Sequence, residues 1–181
     1  MKKPAIFLDR DGTLIEEVNF LSRVEDLRLF PFTAEAVKLL KDRGYLVIVV
    51  TNQSGIGRGI YTANDMHAIH AQIQIELDNA IDAFYFCPHL PDTGCKCRKP
   101  GLGMIESAIA DFDIALEGSW MVGDKKIDVE TGLAGNLSTA LVLTGYGLEH
   151  QVLLETAPAI ISTDLREAVK SIVNANSISS S

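Results

Sequence analysis

The chain is expected to fold as an α/β protein, a three-layer, Rossmann-like parallel sheet with helices on both faces. Three observations predict this. Short apolar runs without polar alternation, the pattern of strands buried on both faces, recur along the 181 residues. Helix-like stretches separate them, as crossovers between parallel strands require. Several of the runs end abruptly in polar side chains, as strands do where their carboxyl ends border a ligand crevice.

The first strand is expected over residues 4–9, where Ala5-Ile6-Phe7-Leu8 runs into Asp9. Residues 12–32, irregular and containing Pro31, form a long insert predicted to be a flap over the pocket. A helix follows at 33–43, then a strand at 45–51 in the run Tyr45-Leu46-Val47-Ile48-Val49-Val50. Next come a helix at 63–78, a strand at 83–87, a loop rich in Pro, Gly and Lys, and a helix at 102–112. Ser119-Trp120-Met121-Val122 makes the strand at 119–122, followed by a helix at 126–134 and a strand at 138–143. A last strand at 159–162 and a helix at 164–174 complete the pattern, within a single domain spanning residues 1–173. Residues 174–181, rich in serine and asparagine, are expected to be a disordered tail. The segments between the apolar runs leave room for the flap, single helices and one loop, so no large cap domain fits.

The strongest chemical signal is Asp9-Arg10-Asp11-Gly12-Thr13. In an extended chain Asp9 and Asp11 point to the same side while Arg10 points away. One carboxylate can then attack a substrate and the other move a proton. Two crowded acids repel as anions, which favours a bound cation or a shared proton, and magnesium suits an all-oxygen site. Gly12 permits a sharp turn that brings backbone N–H groups toward an anion. Asp-Gly after a strand is also an ordinary turn signal.

The chain's 3 cysteines and one of its 4 histidines fall together, as Cys87, His89, Cys95 and Cys97. Three thiolates and an imidazole complete a tetrahedral zinc shell, and with no ligand position vacant the zinc would be structural. Pairing as a disulfide would leave one thiol over and need an oxidising compartment. The loop leads into Arg98 and Lys99, so a metal clip would hold two cations in place. The remaining histidines, His67, His70 and His150, are expected at the surface.

A formal charge of −8 and a pI near 4.9 weigh against a nucleic-acid partner. No run approaches the roughly 18 apolar residues of a membrane span, and no signal peptide is evident, so the expectation is a cytoplasmic protein with no membrane partner. Arg10, Arg58, Arg98, Lys99, Lys125 and Lys126 stand in or beside the polar clusters, which suits a small anionic metabolite, with Arg10 and Lys126 the readiest to be ordinary surface charges. A monomer is the default.

The Asp9–Thr13 segment resembles the nucleophile motif of the haloacid dehalogenase-like (HAD) superfamily. Thr51-Asn52-Gln53, Lys99 within Cys97-Arg98-Lys99-Pro100, and Gly123-Asp124 with Asp128 match that superfamily's other motifs in order. Singly these are also a polar loop start, a solvated lysine and a helix cap; their joint order carries the resemblance. Within the superfamily, Thr51-Asn52-Gln53-Ser54-Gly55-Ile56-Gly57-Arg58-Gly59, Cys87-Pro88-His89, Cys95-Lys96-Cys97-Arg98-Lys99-Pro100 and Gly123-Asp124-Lys125 resemble the D-glycero-D-manno-heptose 1,7-bisphosphate 7-phosphatase family over residues 4–147. Histidinol-phosphate phosphatases are the alternative, typically with an acid where Ser54 stands; a non-catalytic zinc-bearing interaction domain is a more distant one. Only five residues separate His89 from Cys95, a shorter zinc loop than in some members.

The resemblance implies a HAD-like hydrolase fold with a zinc-clipped loop, and a phosphatase acting on a small phosphorylated sugar. It implies Asp9 as nucleophile, Asp11 as proton donor and acceptor, and Thr51 and Lys99 beside the transferring phosphate. Magnesium would be held by Asp9, the Asp11 main-chain carbonyl and Asp124, with Asp128 orienting that set. Asn19, Asn52, Gln53, Ser54, Arg98 and Lys125 would contact substrate, with Arg98 on the far phosphate because its fork matches phosphate oxygens.

Overall fold

The computed structural model describes residues 2–178. Six parallel strands form one sheet in the order β3-β2-β1-β4-β5-β6. These are β1 (Lys3–Leu8), β2 (Leu46–Asn52), β3 (Ala83–Cys87), β4 (Ile114–Gly123), β5 (Ser138–Val142) and β6 (Ile160–Ser162). The expected parallel α/β architecture is therefore present, with β1 and β4 central.

Alternation along β1 explains the three layers. Ile6 and Leu8 face one core with α1 (Thr33–Asp42), α3 (Ala63–Glu76) and α7 (Leu165–Ile178). Ala5 and Phe7 face the other core, against α4 (Gly103–Asp111). On β4, Met121 faces that second core, and Gly132 of α5 (Lys126–Ala134) packs so closely on it that an added Cβ would lie 2.7 Å from the Met121 Cβ. Every residue of β1 from Ala5 to Leu8 is fully buried, which is why the run shows no polar alternation.

Several expectations need correction. The last strand before Asp124 begins at Ile114, five residues earlier than 119, because a bulge joins two registers. Lys3 and Pro4 pair with Ile114 and Ala115, whereas Ile6 pairs with Trp120. Gly118 takes φ +78° in the bulge, and the Ser119 hydroxyl closes it by accepting from Ala5 N–H and donating to the Ala115 carbonyl. Two short helices, α2 (Ser54–Gly57) and α6 (Gly147–Gln151), lie where loops were expected.

The final helix runs to Ile178, so residues 174–178 of the expected tail are helical. Asn176 anchors that last turn, its amide donating to the Tyr45 hydroxyl at 2.6 Å and the Gly118 carbonyl at 3.1 Å. The rest of the expected tail, 179–181, lies outside the described residues.

The 12–32 insert is irregular as expected but firmly seated. Leu14, Ile15, Leu21 and Leu27 are buried in the α1/α7-side core, and Ile15 bridges Asp11 and Leu29. The Thr33 hydroxyl donates to the Leu14 carbonyl at 2.7 Å. This leaves residues 17–21 arched along a cleft at the carboxyl ends of the strands.

Candidate active site

The ends of β1, β2 and β4 deliver the polar side chains to one place. Asp9 follows β1, Thr51 and Asn52 close β2, and Asp124 follows β4. Asp9, Thr51 and Asn52 border a cleft of about 410 Å³ lined also by Asp11, Asn19, Gln53, Ser54, Arg98, Lys99 and Lys125. Asp124 and Asp128 are fully buried beneath it.

Lys99 is the electrostatic centre. Its Nζ donates to Asp9 Oδ1 at 2.9 Å, Asp128 Oδ1 at 2.6 Å and the Val50 carbonyl at 2.9 Å, so all its hydrogens are engaged. Burial opposes its charge, but the Asp128 and Asp9 carboxylates outweigh burial and hold its pKa above the usual lysine value. Burial likewise opposes ionisation of Asp9, yet the Lys99 and Lys125 charges keep it below the ordinary carboxylate range. Asp9 is therefore an anion, as a nucleophile must be. Asn52 grips the Lys99 backbone from both sides, accepting from its N–H at 3.0 Å and donating to its carbonyl at 3.3 Å.

Three carboxylates, from Asp9, Asp124 and Asp128, present oxygens within 4.8 Å of one another. Burial and then the charges of Asp9 and Asp128 push Asp124 up to about 8; burial pushes Asp128 to about 6 against the pull of Lys99. Asp124 Oδ2 accepts from Tyr146 N–H at 2.8 Å, but its buried Oδ1 has no protein partner. Asp128 differs, because its oxygens are taken by Lys99 and by the Lys125 N–H at the start of α5. An unpartnered, buried carboxylate oxygen among repelling acids fits a divalent cation with oxygen ligands. Gly12, at φ +81°, and Gly145, at φ +54°, keep this corner open: a Cβ on either would sit 2.3 Å from Asp124 Oδ2.

Asp11 lines the cleft with Asp9 but stands outside the three-carboxylate cluster. Arg10, expected to point away from the side that Asp9 and Asp11 share, does not line the cleft, but its side chain turns inward and reaches Asp11. Arg10 is buried, and it forks onto Asp11 through Nε to Oδ2 at 2.9 Å and Nη2 to Oδ1 at 3.1 Å. His70, expected at the surface, is also buried, because α3 turns it onto Phe84 of β3. Gln53, expected to meet substrate, has its amide engaged inside the protein. It donates to Asp11 Oδ2 at 2.9 Å and Thr51 Oγ1 at 2.8 Å and accepts from the Tyr61 hydroxyl. Thr51 thus keeps its own hydroxyl hydrogen for a ligand.

The mouth of the cleft is polar and aromatic. Lys125 Nζ lies 3.3 Å from Glu17 on the flap and 4.9 Å from the Tyr146 ring centroid. Arg98 donates to the His89 carbonyl at 3.3 Å, which ties it to the cysteine loop. His150 accepts from Lys126 N–H at 3.0 Å through Nδ1, and its ring also borders the cleft. Thr144, whose hydroxyl donates to the Gly12 carbonyl at 2.6 Å, Gly145, Tyr146 and Glu17 are parts of the site that the motifs did not mark. The rule that ligands sit beyond strand ends would have found the first three, since they follow β5 directly.

The four zinc candidates converge. Cys87, Cys95 and Cys97 have Sγ separations of 3.2–3.6 Å, and His89 Nδ1 lies 3.2 Å from Cys97 and 3.5 Å from Cys87. A zinc tetrahedron with sulfur ligands has an S–S edge of roughly 3.8 Å, so the cluster fits a metal of that size.

A family model described as HAD-hydrolase-like matches residues 96–168. The D-glycero-D-manno-heptose-1,7-bisphosphate 7-phosphatase of Thermosynechococcus vestitus is 39% identical, over 94% of this chain and 95% of its own length. That of Haemophilus ducreyi, named for the beta anomer, is 38% identical over 82% of this chain and 87% of its own. Among solved structures, the D,D-heptose 1,7-bisphosphate phosphatase of B. bronchiseptica complexed with magnesium and phosphate has a TM-score of 0.88. It is 29% identical and covers 95% of this chain and 99% of that one.

Proposed function

Because the chain belongs to the D-glycero-D-manno-heptose 1,7-bisphosphate 7-phosphatase family of HAD-like hydrolases, we propose that it removes the C7 phosphate of that sugar bisphosphate through an aspartyl-phosphate. The observation that carries this reading is the ionised Asp9 carboxylate, charge-balanced by buried Lys99 beside an acid whose inner oxygen lacks a partner. The histidinol-phosphate and interaction-domain alternatives are not favoured by these relatives.

Asp9 attacks the phosphorus in line, dividing one hard hydrolysis into two displacements. Asp11 gives a proton to the departing sugar oxygen and later takes one from the attacking water. Asp9, the Asp11 main-chain carbonyl and Asp124 would hold magnesium, whose charge offsets the repulsion between carboxylate and phosphate. Asp128 holds Lys99 in position from behind. Thr51 donates to a transferring oxygen, and the Lys99 charge stabilises the charge that shifts during transfer. Asn52 acts through Lys99, and Gln53 through Asp11 and Thr51. Asn19, Ser54, Arg98 and Lys125 bind the rest of the substrate, with Arg98 on the anomeric phosphate.

Cys87, His89, Cys95 and Cys97 would hold a structural zinc, which would fix the loop that carries Arg98 and Lys99. Among the described residues no helix is long and apolar enough to cross a membrane. The reading is completed by a cytoplasmic monomer with a small-molecule substrate and no nucleic-acid partner.

The test is phosphate release from a panel of sugar bisphosphates and histidinol phosphate, with and without magnesium. The expected result is magnesium-dependent release that favours the heptose bisphosphate and leaves its anomeric phosphate in place. An Asp9→Asn variant should bind substrate but not turn over. Preference for histidinol phosphate, or full activity in Asp9→Asn, would overturn the reading.

A further inference from the structure

We propose that His70 is a positioning residue for proton transfer: through Arg10 it fixes the Asp11 carboxylate so that Oδ1 is the oxygen that carries the proton. This rests on the reading of Asp11 given above.

Arg10 is 1% exposed, so its guanidinium hydrogens must find acceptors within the protein. Two of its nitrogens fork onto Asp11, and Nη1 lies 3.3 Å from His70 Nε2. A guanidinium only donates, so Nε2 is the unprotonated acceptor and the imidazole is neutral. The surroundings agree. Burial, then the Arg10 charge and His67, push His70 down to about 3. The ring cannot turn away, because it stacks on Phe84 with centroids 4.4 Å apart and planes at 19°. Its carrier, α3, is pinned to the core by Met66, Ile69 and Ile73. His70 thus anchors the far end of a buried guanidinium whose near end grips the acid.

The bonds at Asp11 distinguish its two oxygens. Oδ2 accepts from Arg10 Nε and from Gln53 Nε2, which fills both of its lone-pair positions. Oδ1 accepts only from Arg10 Nη2, leaving one lone pair on a side chain that is 15% exposed, at the cleft. In the first displacement the Asp9–phosphorus bond forms and the bond from phosphorus to the C7 oxygen breaks. The electron pair goes to that oxygen, which takes the proton from Oδ1. In the second, water oxygen bonds to phosphorus, the Asp9–phosphorus bond breaks with its pair returning to Asp9, and the water proton goes to Oδ1. The proton lost in the first step is regained in the second.

The experiment compares first-turnover rates on heptose 1,7-bisphosphate, whose alkoxide must be protonated, and on p-nitrophenyl phosphate, whose phenolate leaves without a proton. His70→Phe keeps the stacking and removes the acceptor; His70→Gln restores an acceptor; Arg10→Lys keeps the buried charge and loses the fork. His70→Phe should slow the sugar reaction by about tenfold or more, part of the roughly hundredfold or greater loss expected if the proton donor were removed, with KM changed by no more than about twofold. The p-nitrophenyl reaction should fall by less than about threefold, His70→Gln should recover most of the sugar rate, and Arg10→Lys should repeat the split more strongly. Equal losses on both substrates, or parental rates in His70→Phe, would overturn the inference. If His70→Phe does not fold, Arg10→Lys decides by the same split. A parent that hydrolyses neither substrate would instead sink the function itself, so the two failures are distinct.

Discussion

His70 offers a clear solution test of a single side chain. Its pKa is near 3 folded against 6.5 unfolded, so below pH 6.5 the unfolded chain takes up a proton that the native protein refuses. The stability it contributes is whole above pH 6.5 and is lost progressively as pH falls toward 3. His70→Phe should therefore be less stable than the parent at neutral pH, where an Arg10 hydrogen loses its acceptor, and the gap should narrow on acidification. Urea titrations across that range measure it; a gap that widens in acid would contradict the assignment. Gly12 is a second single-residue test. Alanine there meets a backbone at φ +81° and a Cβ 2.3 Å from Asp124 Oδ2, so Gly12→Ala should cost about 1–3 kcal/mol and abolish turnover. Denaturation midpoints and phosphate release check both effects. Asp9 and Asp124 were legible because an apolar run that stops on an acid marks a buried strand's carboxyl end. Arg10 and His70 were not, because the extended-strand rule fails where the chain turns at Gly12, and a histidine's burial depends on Phe84, fourteen positions away on another element.

At the scale of elements, the cysteine loop is the feature with the widest reach. It joins β3 to α4, and between them it carries Arg98 and Lys99 into the cleft. Stripping metal with a strong chelator and then restoring magnesium alone should leave turnover reduced and the melting temperature lowered. Adding zinc back should recover both. Full recovery on magnesium alone would detach the loop from catalysis. That the loop's four donors meet could be read from residue type and spacing, since four sulfur and nitrogen donors crowd into eleven positions. The β4 bulge could not, because it depends on Ser119 finding the Ala5 N–H across the sheet. Nor could the extra helical turns of α7, which rest on Asn176 meeting Tyr45 and Gly118.

For the molecule as a whole, the sheet order places β1 and β4 side by side, so their two acids meet at the centre of the carboxyl edge. Alternating strands and helices made that architecture readable, whereas the packing of the flap against the α1/α7-side core emerged only from contacts between distant residues. The cost of holding Asp9, Asp124 and Asp128 together should appear as stabilisation by magnesium. At a concentration about a hundredfold above Kd, one site adds about 2.7 kcal/mol. Thermal melts with and without magnesium measure this, and Asp124→Asn should lose most of the response. A melting temperature indifferent to magnesium would contradict the oxygen-ligand site.

Asp9 as nucleophile is tested by quenching the enzyme during turnover of heptose 1,7-bisphosphate, reducing with borohydride and mapping the modified residue. An aspartyl-phosphate is converted to homoserine, which is expected at position 9. A turning-over enzyme that yields homoserine elsewhere, or none at all, would contradict that role for Asp9.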